Sequence, residues 1–298
     1  MIYTLGESLI DIITDVDGKT VSKPGGSLLN VSVSLGRSGK EVSLISEIGD
    51  DRAGRRLINF LSDNGVSTRL VKKYSGSKTS VAKATLDEHQ KPDYVFFKDY
   101  PAKRSLPESP EFTDQDIFIF GSMYSRDLDI KDDINSYLES VKRGGALIVY
   151  DPNVRDKHQL RHADSREMLL KNLACADVIK GSDEDFTNIF ELNSVLEFKD
   201  ELRKINSRAM IVITLGEEGS VVYYKDIILE MPSVKTKVVS TIGAGDAFTA
   251  GMVNSIIDQD LLNSFDALSE DHLKNILQEG TRFSSLVCRT MDNYIPIA

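Results

Sequence analysis

Short apolar runs recur along the chain at Ile2–Leu5 and at residues 42–45, 117–120, 146–149, 178–179 and 210–215, each no longer than a strand buried on both faces. Between them lie segments whose apolar residues fall at three- and four-residue spacing, over 28–37, 52–63, 131–143, 166–173 and 196–205. Buried runs alternating with amphipathic helices predict a mostly parallel sheet covered on both faces. No repeat of fixed period and no low-complexity tract interrupts the alternation. Two stretches do break it. From 80 to 98 the order is strand, the turn-rich Asp87-Glu88-His89-Gln90-Lys91-Pro92-Asp93, and strand again, which predicts a hairpin. A shorter strand at 10–14 leads into Asp15-Val16-Asp17-Gly18, a second predicted turn. Two small β pieces inside an α/β domain read either as a lid sheet or as decoration at a sheet edge.

Composition narrows the partners. With 298 residues, 41% of them hydrophobic, the chain can bury a full core, so disordered and fibrous readings are excluded. Lys+Arg 36 against Asp+Glu 46 gives a net charge of -10 and a pI near 5.0, the wrong sign for a surface that must neutralise a phosphate backbone. Nucleic acid is therefore not an expected partner. The start carries no basic n-region, and no later stretch approaches a membrane-spanning length of uninterrupted apolar residues. The expectation is a soluble cytoplasmic protein without membrane attachment. Cys175 and Cys288 are the only cysteines, far apart and outside any C-x-x-C spacing, and read as small core hydrophobes in a reducing compartment.

The strongest chemical signal is Ser240-Thr241-Ile242-Gly243-Ala244-Gly245-Asp246-Ala247-Phe248, which follows a strand-like Val238-Val239 and opens a helical run over 247–257. Glycines at the mouth of a helix let backbone N–H groups point at an anion, and the helix dipole adds partial positive charge. Asp246 puts a carboxylate into that anion site. It is either a first-turn residue, which helices favour, or a base that takes a hydroxyl proton while the amides stabilise a transferring phosphoryl group. A dinucleotide fingerprint fails, because Phe248 stands where the third glycine belongs and too little chain follows. No P-loop sequence occurs either. A second cluster, Pro24-Gly25-Gly26-Ser27-Leu28-Leu29-Asn30, combines close backbone approach with an amide that can both donate and accept, as a sugar hydroxyl requires, and Asp11 lies just after the first strand. Singly, each of these is an ordinary turn, cap or solvated acid.

Together with Ile48-Gly49-Asp50-Asp51-x-x-Gly54, Gly121-Ser122, Asp151-Pro152-Asn153-Val154-Arg155 and Thr214-Leu215-Gly216-Glu217-Glu218-Gly219, these motifs stand in an order and spacing that resemble the ribokinase-like (PfkB) carbohydrate kinases, over about residues 2 to 255. The resemblance implies a three-layer α/β/α sandwich with a small β-sheet lid, a single kinase domain over 1–298 with lid segments near 10–23 and 78–104. It also implies ATP and Mg²⁺ as cofactors and a homodimer through the lid as an option. Carried over, Asp246 resembles the catalytic base and Gly243, Ala244 and Gly245 the anion hole. Asp11, Gly25, Gly26, Asn30 and Arg155 resemble the substrate contacts, and Thr214, Gly216 and Gly219 the nucleotide cradle. The family's Asn-x-x-Glu becomes Ser182-Asp183-Glu184-Asp185, which leaves Asp185 as the candidate metal residue and Ser182 as a helix cap. The Asp that opens the catalytic motif in many relatives is Ser240, which puts K⁺ activation in doubt. The inward-facing lid residues among Tyr94, Phe96 and Phe97 are not assignable, because a one-residue slip reverses the faces.

The expected activity is ATP-dependent phosphorylation of a sugar's primary hydroxyl, with fructose first and 2-keto-3-deoxygluconate kinase or ribokinase as alternatives. From other classes, a non-catalytic sugar sensor is opposed by the intact Asp246 and an oxidoreductase by the missing fingerprint.

Overall fold

The computed structural model describes residues 1–14, 18–86 and 92–297, with the backbone alone for 84–86 and 92–94. The chain begins β1 (Ile2–Leu5), β2 (Leu9–Thr14), β3 (Thr20–Gly25), α1 (Ser27–Arg37), β4 (Val42–Gly49), α2 (Arg52–Asp63), β5 (Val66–Ser67), β6 (Val71–Tyr74), β7 (Lys78–Leu86) and β8 (Pro92–Asp99). It continues β9 (Ile117–Gly121), α3 (Lys131–Gly144), β10 (Leu147–Asp151), α4 (Ala163–Cys175), β11 (Val178–Ser182), α5 (Asp183–Phe190) and α6 (Val195–Ile205). The last elements are β12 (Met210–Thr214), β13 (Ser220–Tyr224), β14 (Ile227–Met231), α7 (Ala244–Asp258) and α8 (Glu270–Cys288).

The large sheet has the order β14-β13-β12-β11-β10-β9-β1-β4-β5, with β6 also paired to β4. From β12 to β5 neighbours run parallel, and β13 and β14 add an antiparallel hairpin at one edge that the hydrophobic pattern did not reveal. The unbroken apolar runs have a physical cause here. In β9, Ile117 and Ile119 face one core while Phe118 and Phe120 face the other, so every position of the strand is buried. Helices α1, α2, α7 and α8 complete the first core, and α3 to α6 the second, which gives three layers. Each large side chain fully buried this way stabilises the fold by roughly 1.5–3 kcal/mol.

Two helices show how position follows composition. Helix α2 buries only Gly54, Leu57 and Leu61 and turns its arginines outward, and its N-cap Asp51 accepts from Gly54 N at 2.7 Å. Helix α7 is buried on all sides from Asp246 to Ile256, because it is wedged between α1, α8 and the sheet. A charged residue in its first turn is thereby forced into the interior at the carboxyl edge of the parallel strands. Open α/β sheets bind ligands at that edge.

The interruptions in the α/β rhythm form a separate four-stranded sheet, β3-β2-β7-β8. Its register answers the question of faces. Lys23, Asp11, Ala82 and Phe96 stand side by side across the four strands, so they share one face, and Phe97 lies on the other. Most of each turn expected, at 15–18 and at 87–93, falls outside the described residues, as does the Tyr94 side chain. Cys175 and Cys288 are free and only half-buried, at the edges of the cores rather than inside them as composition had suggested.

Candidate active site

Four segments converge on Asp246. Gly243 caps α7 with φ 83, a left-handed conformation that a side chain would strain, and a Cβ there would strike the Asn293 carbonyl oxygen at 2.3 Å. The turn it makes carries Asp246 to 5% exposure. Both carboxylate oxygens are held from α1: Ser27 Oγ donates to Oδ1 at 2.7 Å and Asn30 Nδ2 to Oδ2 at 2.8 Å. Beyond Ser27 the chain of contacts continues outward. Asn153 Nδ2 donates to Ser27 Oγ at 3.3 Å, and the exposed Arg155 donates through Nε to Asn153 Oδ1 at 2.9 Å. Thus Asn30 meets Asp246 directly, and Arg155 is linked to it through two residues, Ser27 and Asn153, to which the sequence reading assigned no part.

The helix mouth differs in one respect from expectation. Ala244 N donates to Thr241 O at 3.2 Å, while the amides of Gly243, Gly245 and Asp246 have no acceptor among the described residues. An anion would therefore meet Gly243, Gly245 and Asp246 first, and Ala244 only after it released Thr241.

Asp11 sits mid-strand in β2, nearly buried, with Lys23 opposite it in β3. Burial pushes its carboxyl up to about 6; Lys23 and Arg155 pull against that rise and Asp246 adds to it. At Gly25 a Cβ would lie 2.0 Å from Asp11 Oδ2, so a side chain there would displace the Asp11 carboxylate. Gly26 follows as the N-cap of α1. Lys23 itself donates to Met291 O at 2.6 Å and to Asn293 Oδ1 at 2.7 Å, tying this sheet to the C-terminal segment behind Gly243. The Asn30 amide spends Nδ2 on Asp246 and leaves Oδ1 buried with no partner among the described residues. A buried acceptor without a donor is costly unless a ligand supplies one.

Beneath the helix mouth lies a buried ion pair that the sequence reading missed altogether. Lys180 on β11 donates to Asp151 Oδ2 at 2.9 Å and to Gly245 O at 3.2 Å, and Thr249 Oγ1 donates to the same Asp151 oxygen at 2.9 Å. Burial works against the ammonium, but Asp151, with Asp185 and Asp246 further off, outweighs it and holds Lys180 above the ordinary lysine range. The available signal was a lysine inside a buried strand run, since lysines are almost never fully buried unless paired.

Thr214 ends β12, and Gly216 and Gly219, with φ 57 and 111, shape the turn that follows, closed by Leu215 N donating to Gly219 O at 2.8 Å. This turn lies beside the end of β11, where Ser182 pairs with Thr214 and not with the Asp246 cluster. Asp185 is the third residue of α5 in a reciprocal cap: its Oδ2 accepts from Ser182 N at 2.7 Å and Ser182 Oγ at 2.8 Å. Among the described residues no group of three His, Cys, Asp or Glu could cage a metal ion. Ser240 turns its hydroxyl inward to accept from Ile242 N at 3.2 Å.

Comparison with known proteins gives the family and the fold. The family model described as pfkB family carbohydrate kinase matches residues 1–297. The chain is 28% identical over 271 residues to Fructokinase-1 of Zea mays, covering 86% of this chain and 83% of that protein. It is 27% identical over 275 residues to a fructokinase of Klebsiella pneumoniae, covering 91% and 89%. Among solved structures, the fructokinase of Vibrio cholerae O395 in its fructose, ADP and calcium ion bound form superposes with a TM-score of 0.86 at 20% identity, covering 98% of this chain and 94% of that one. A double mutant of that enzyme is solved with fructose, ADP and potassium ion. No helix among the described residues is long and apolar enough to cross a membrane.

Proposed function

This chain belongs to the pfkB family of carbohydrate kinases, and we propose that it moves the γ-phosphate of ATP to the primary hydroxyl of fructose with Asp246 as the base. One observation carries the reading. A buried carboxylate has both oxygens fixed by donors from α1, at a helix mouth whose amides gather negative charge. In that setting the sugar hydroxyl gives its proton to Asp246, its oxygen forms the new bond to the γ-phosphorus, and the bond to the β,γ-bridging oxygen breaks as ADP leaves. The amides of Gly243, Gly245 and Asp246 stabilise the charge on the phosphoryl group in flight.

Asn30 Oδ1 and the Asp11 carboxylate accept from the sugar's other hydroxyls, Gly25 and Gly26 leave room for it, and Phe96 lines the same face. Arg155, tethered by Asn153, meets the sugar or the moving phosphate. A neutral sugar suits this pocket better than an acidic one such as 2-keto-3-deoxygluconate. Lys23 holds Met291 O and Asn293 Oδ1 and stands beside the Asp11 carboxylate, and Lys98 Nζ pairs with Glu7 at 2.9 Å, so both charges are already balanced by carboxylates of the chain.

Thr214, Gly216 and Gly219 hold the nucleotide. Asp185 spends Oδ2 on Ser182 and has Oδ1 free of donors among the described residues, so it can hold Mg²⁺ or its water while the nucleotide phosphates supply most of the ligands. Mg²⁺ bound there neutralises charge between the β- and γ-phosphates. With Ser240 in place of a carboxylate, K⁺ adds little. The four-stranded sheet acts as the lid, and its exposed Val95 and Phe97 support pairing with a second copy. Two unpaired cysteines are consistent with work in the cytoplasm.

Coupled ADP release against fructose, ribose and 2-keto-3-deoxygluconate tests the proposal. Fructose should give the highest kcat/KM, and Asp246→Asn should lower kcat by about 10²- to 10⁴-fold with sugar affinity little changed. Near-normal turnover in folded Asp246→Asn would remove the base from the mechanism.

A further inference from the structure

We infer that Lys180 is a positioning residue for phosphoryl transfer: its buried ammonium is the fixed positive charge that backs the anion-binding amides at the start of α7. The inference rests on the kinase reading above. Lys180, midway along β11, and Asp151, the last residue of the neighbouring β10, are each 3% exposed. A buried ion pair stabilises a fold little or not at all compared with apolar side chains of the same volume. One found at the reacting end of the sheet therefore calls for a use other than stability.

The geometry supplies that use. Nζ has three N–H groups, of which Asp151 Oδ2 and Gly245 O take two, leaving one uncommitted. A Cβ added at the exposed Gly245 would meet Lys180 Nζ at 3.2 Å and, outside its chain neighbours and its own helix backbone, no other described atom within 4 Å, so the ammonium lies directly against the anion loop. Thr249 Oγ1 gives its one proton to Asp151 Oδ2 at 2.9 Å and lies 3.2 Å from Gly245 O, which closes a ring of contacts around the first turn of α7. The ring fixes the Gly245 carbonyl and with it the direction of the neighbouring amides. The charge balance matters as well. Asp11, Asp151, Asp185 and Asp246 all lie near this edge, and a triphosphate adds further negative charge. Lys23 holds the C-terminal segment, Arg155 is exposed and the buried Arg126 donates to Gln159, so among the described residues Lys180 is the buried cation bonded to the anion loop itself. It gives up no proton during transfer. The hydroxyl proton goes to Asp246, and Lys180 stays charged while the oxygen–phosphorus bond forms and the bond to ADP breaks.

The competing explanation is that Lys180 only neutralises Asp151. Comparing Lys180→Met with Lys180→Met/Asp151→Asn separates the two, because the double variant buries no lone charge and circular dichroism and a thermal melt establish that it folds. With fructose and MgATP, both variants should lose kcat by about 10²-fold while each KM changes by less than about threefold. Lys180→Arg should lose less. The double variant should also bind ADP with aluminium fluoride and fructose, a mimic of the phosphoryl group in transfer, more weakly by a similar factor, with ADP affinity unchanged. Recovery of wild-type kcat in the double variant would overturn the inference and leave the kinase reading intact. A wild-type protein with no sugar-dependent ADP release would overturn both.

Discussion

Replacing Asp11 by Asn should stabilise the protein while it weakens sugar binding, because the same burial that prepares the carboxylate for a ligand makes it a liability without one. The carboxyl stands at about 6 in the folded chain against 3.8 for an ordinary aspartate, and at about 1.4 kcal/mol per tenfold the gap is worth roughly 2–3 kcal/mol. The sign follows from proton counting. Between pH 3.8 and about 6 the native state keeps a proton that the unfolded chain has released, so stability falls as pH rises through that window and stays low above it. At 9% exposure solvent screening removes little of this. The neutral amide of the Asp11→Asn variant carries no such charge. That variant should therefore melt higher than the wild type at pH 7.5, by roughly 4 °C, and the difference should shrink toward pH 4. Fructose KM should rise about tenfold at pH 7.5, the loss of a charge-assisted hydrogen bond. In the wild type the same KM should climb as pH falls below about 6. Thermal melts at both pH values and ADP-release kinetics measure all of this. An Asp11→Asn protein that melts at or below the wild type at pH 7.5 would refute the electrostatic argument.

Other residues give narrower tests. Asn30→Ala removes both the orphan Oδ1 and the donor to Asp246, so fructose KM should rise about tenfold and kcat should fall, with ATP KM unchanged; a rise in ATP KM alone would put Asn30 in the wrong half of the site. Gly25→Ala drives a methyl to within 2.0 Å of Asp11 Oδ2, so it should cost about 1–3 kcal/mol in urea unfolding and disturb fructose affinity more than ATP affinity. Activation by K⁺ should stay below about tenfold relative to tetramethylammonium at equal ionic strength, because Ser240 offers a neutral hydroxyl already bonded to Ile242 N. A larger K⁺-specific gain would mean that backbone oxygens suffice.

Much of the architecture was legible in the chain because it rests on local rules. Doubly buried strands must be apolar at every position, and the runs beginning at Ile2, Val42, Ile117, Val178 and Met210 are the inner strands observed. The open amides at the start of α7 were legible for the same kind of reason: a glycine-rich turn before a helix exposes amides wherever it occurs. The antiparallel pair β13 and β14 escaped, since the hairpin that turns at Lys225 carries none of the usual turn pairs. Ser182 shows the opposite case, in which the local rule was sufficient: it caps α5 as expected, with Asp185 as its reciprocal partner.

What the sequence by itself determined is the set of elements, their alternation and the chemical types at the helix mouth, because propensity, burial pattern and turn chemistry act over a few residues. Only the tertiary structure decided which groups meet. Ser27 lies 219 residues from the Asp246 oxygen it donates to, Lys180 65 residues from the Gly245 carbonyl, and Lys23 270 residues from Asn293. The lid was undecidable in sequence for a related reason. Strand side chains alternate with a period of two, so Phe96 rather than Phe97 faces Asp11 only once the pairing of β7 with β2 and β8 is known. Hydrogen bonds and charge pairs form between whatever side chains the packing of distant elements brings within about 3 Å, and no local pattern encodes that distance.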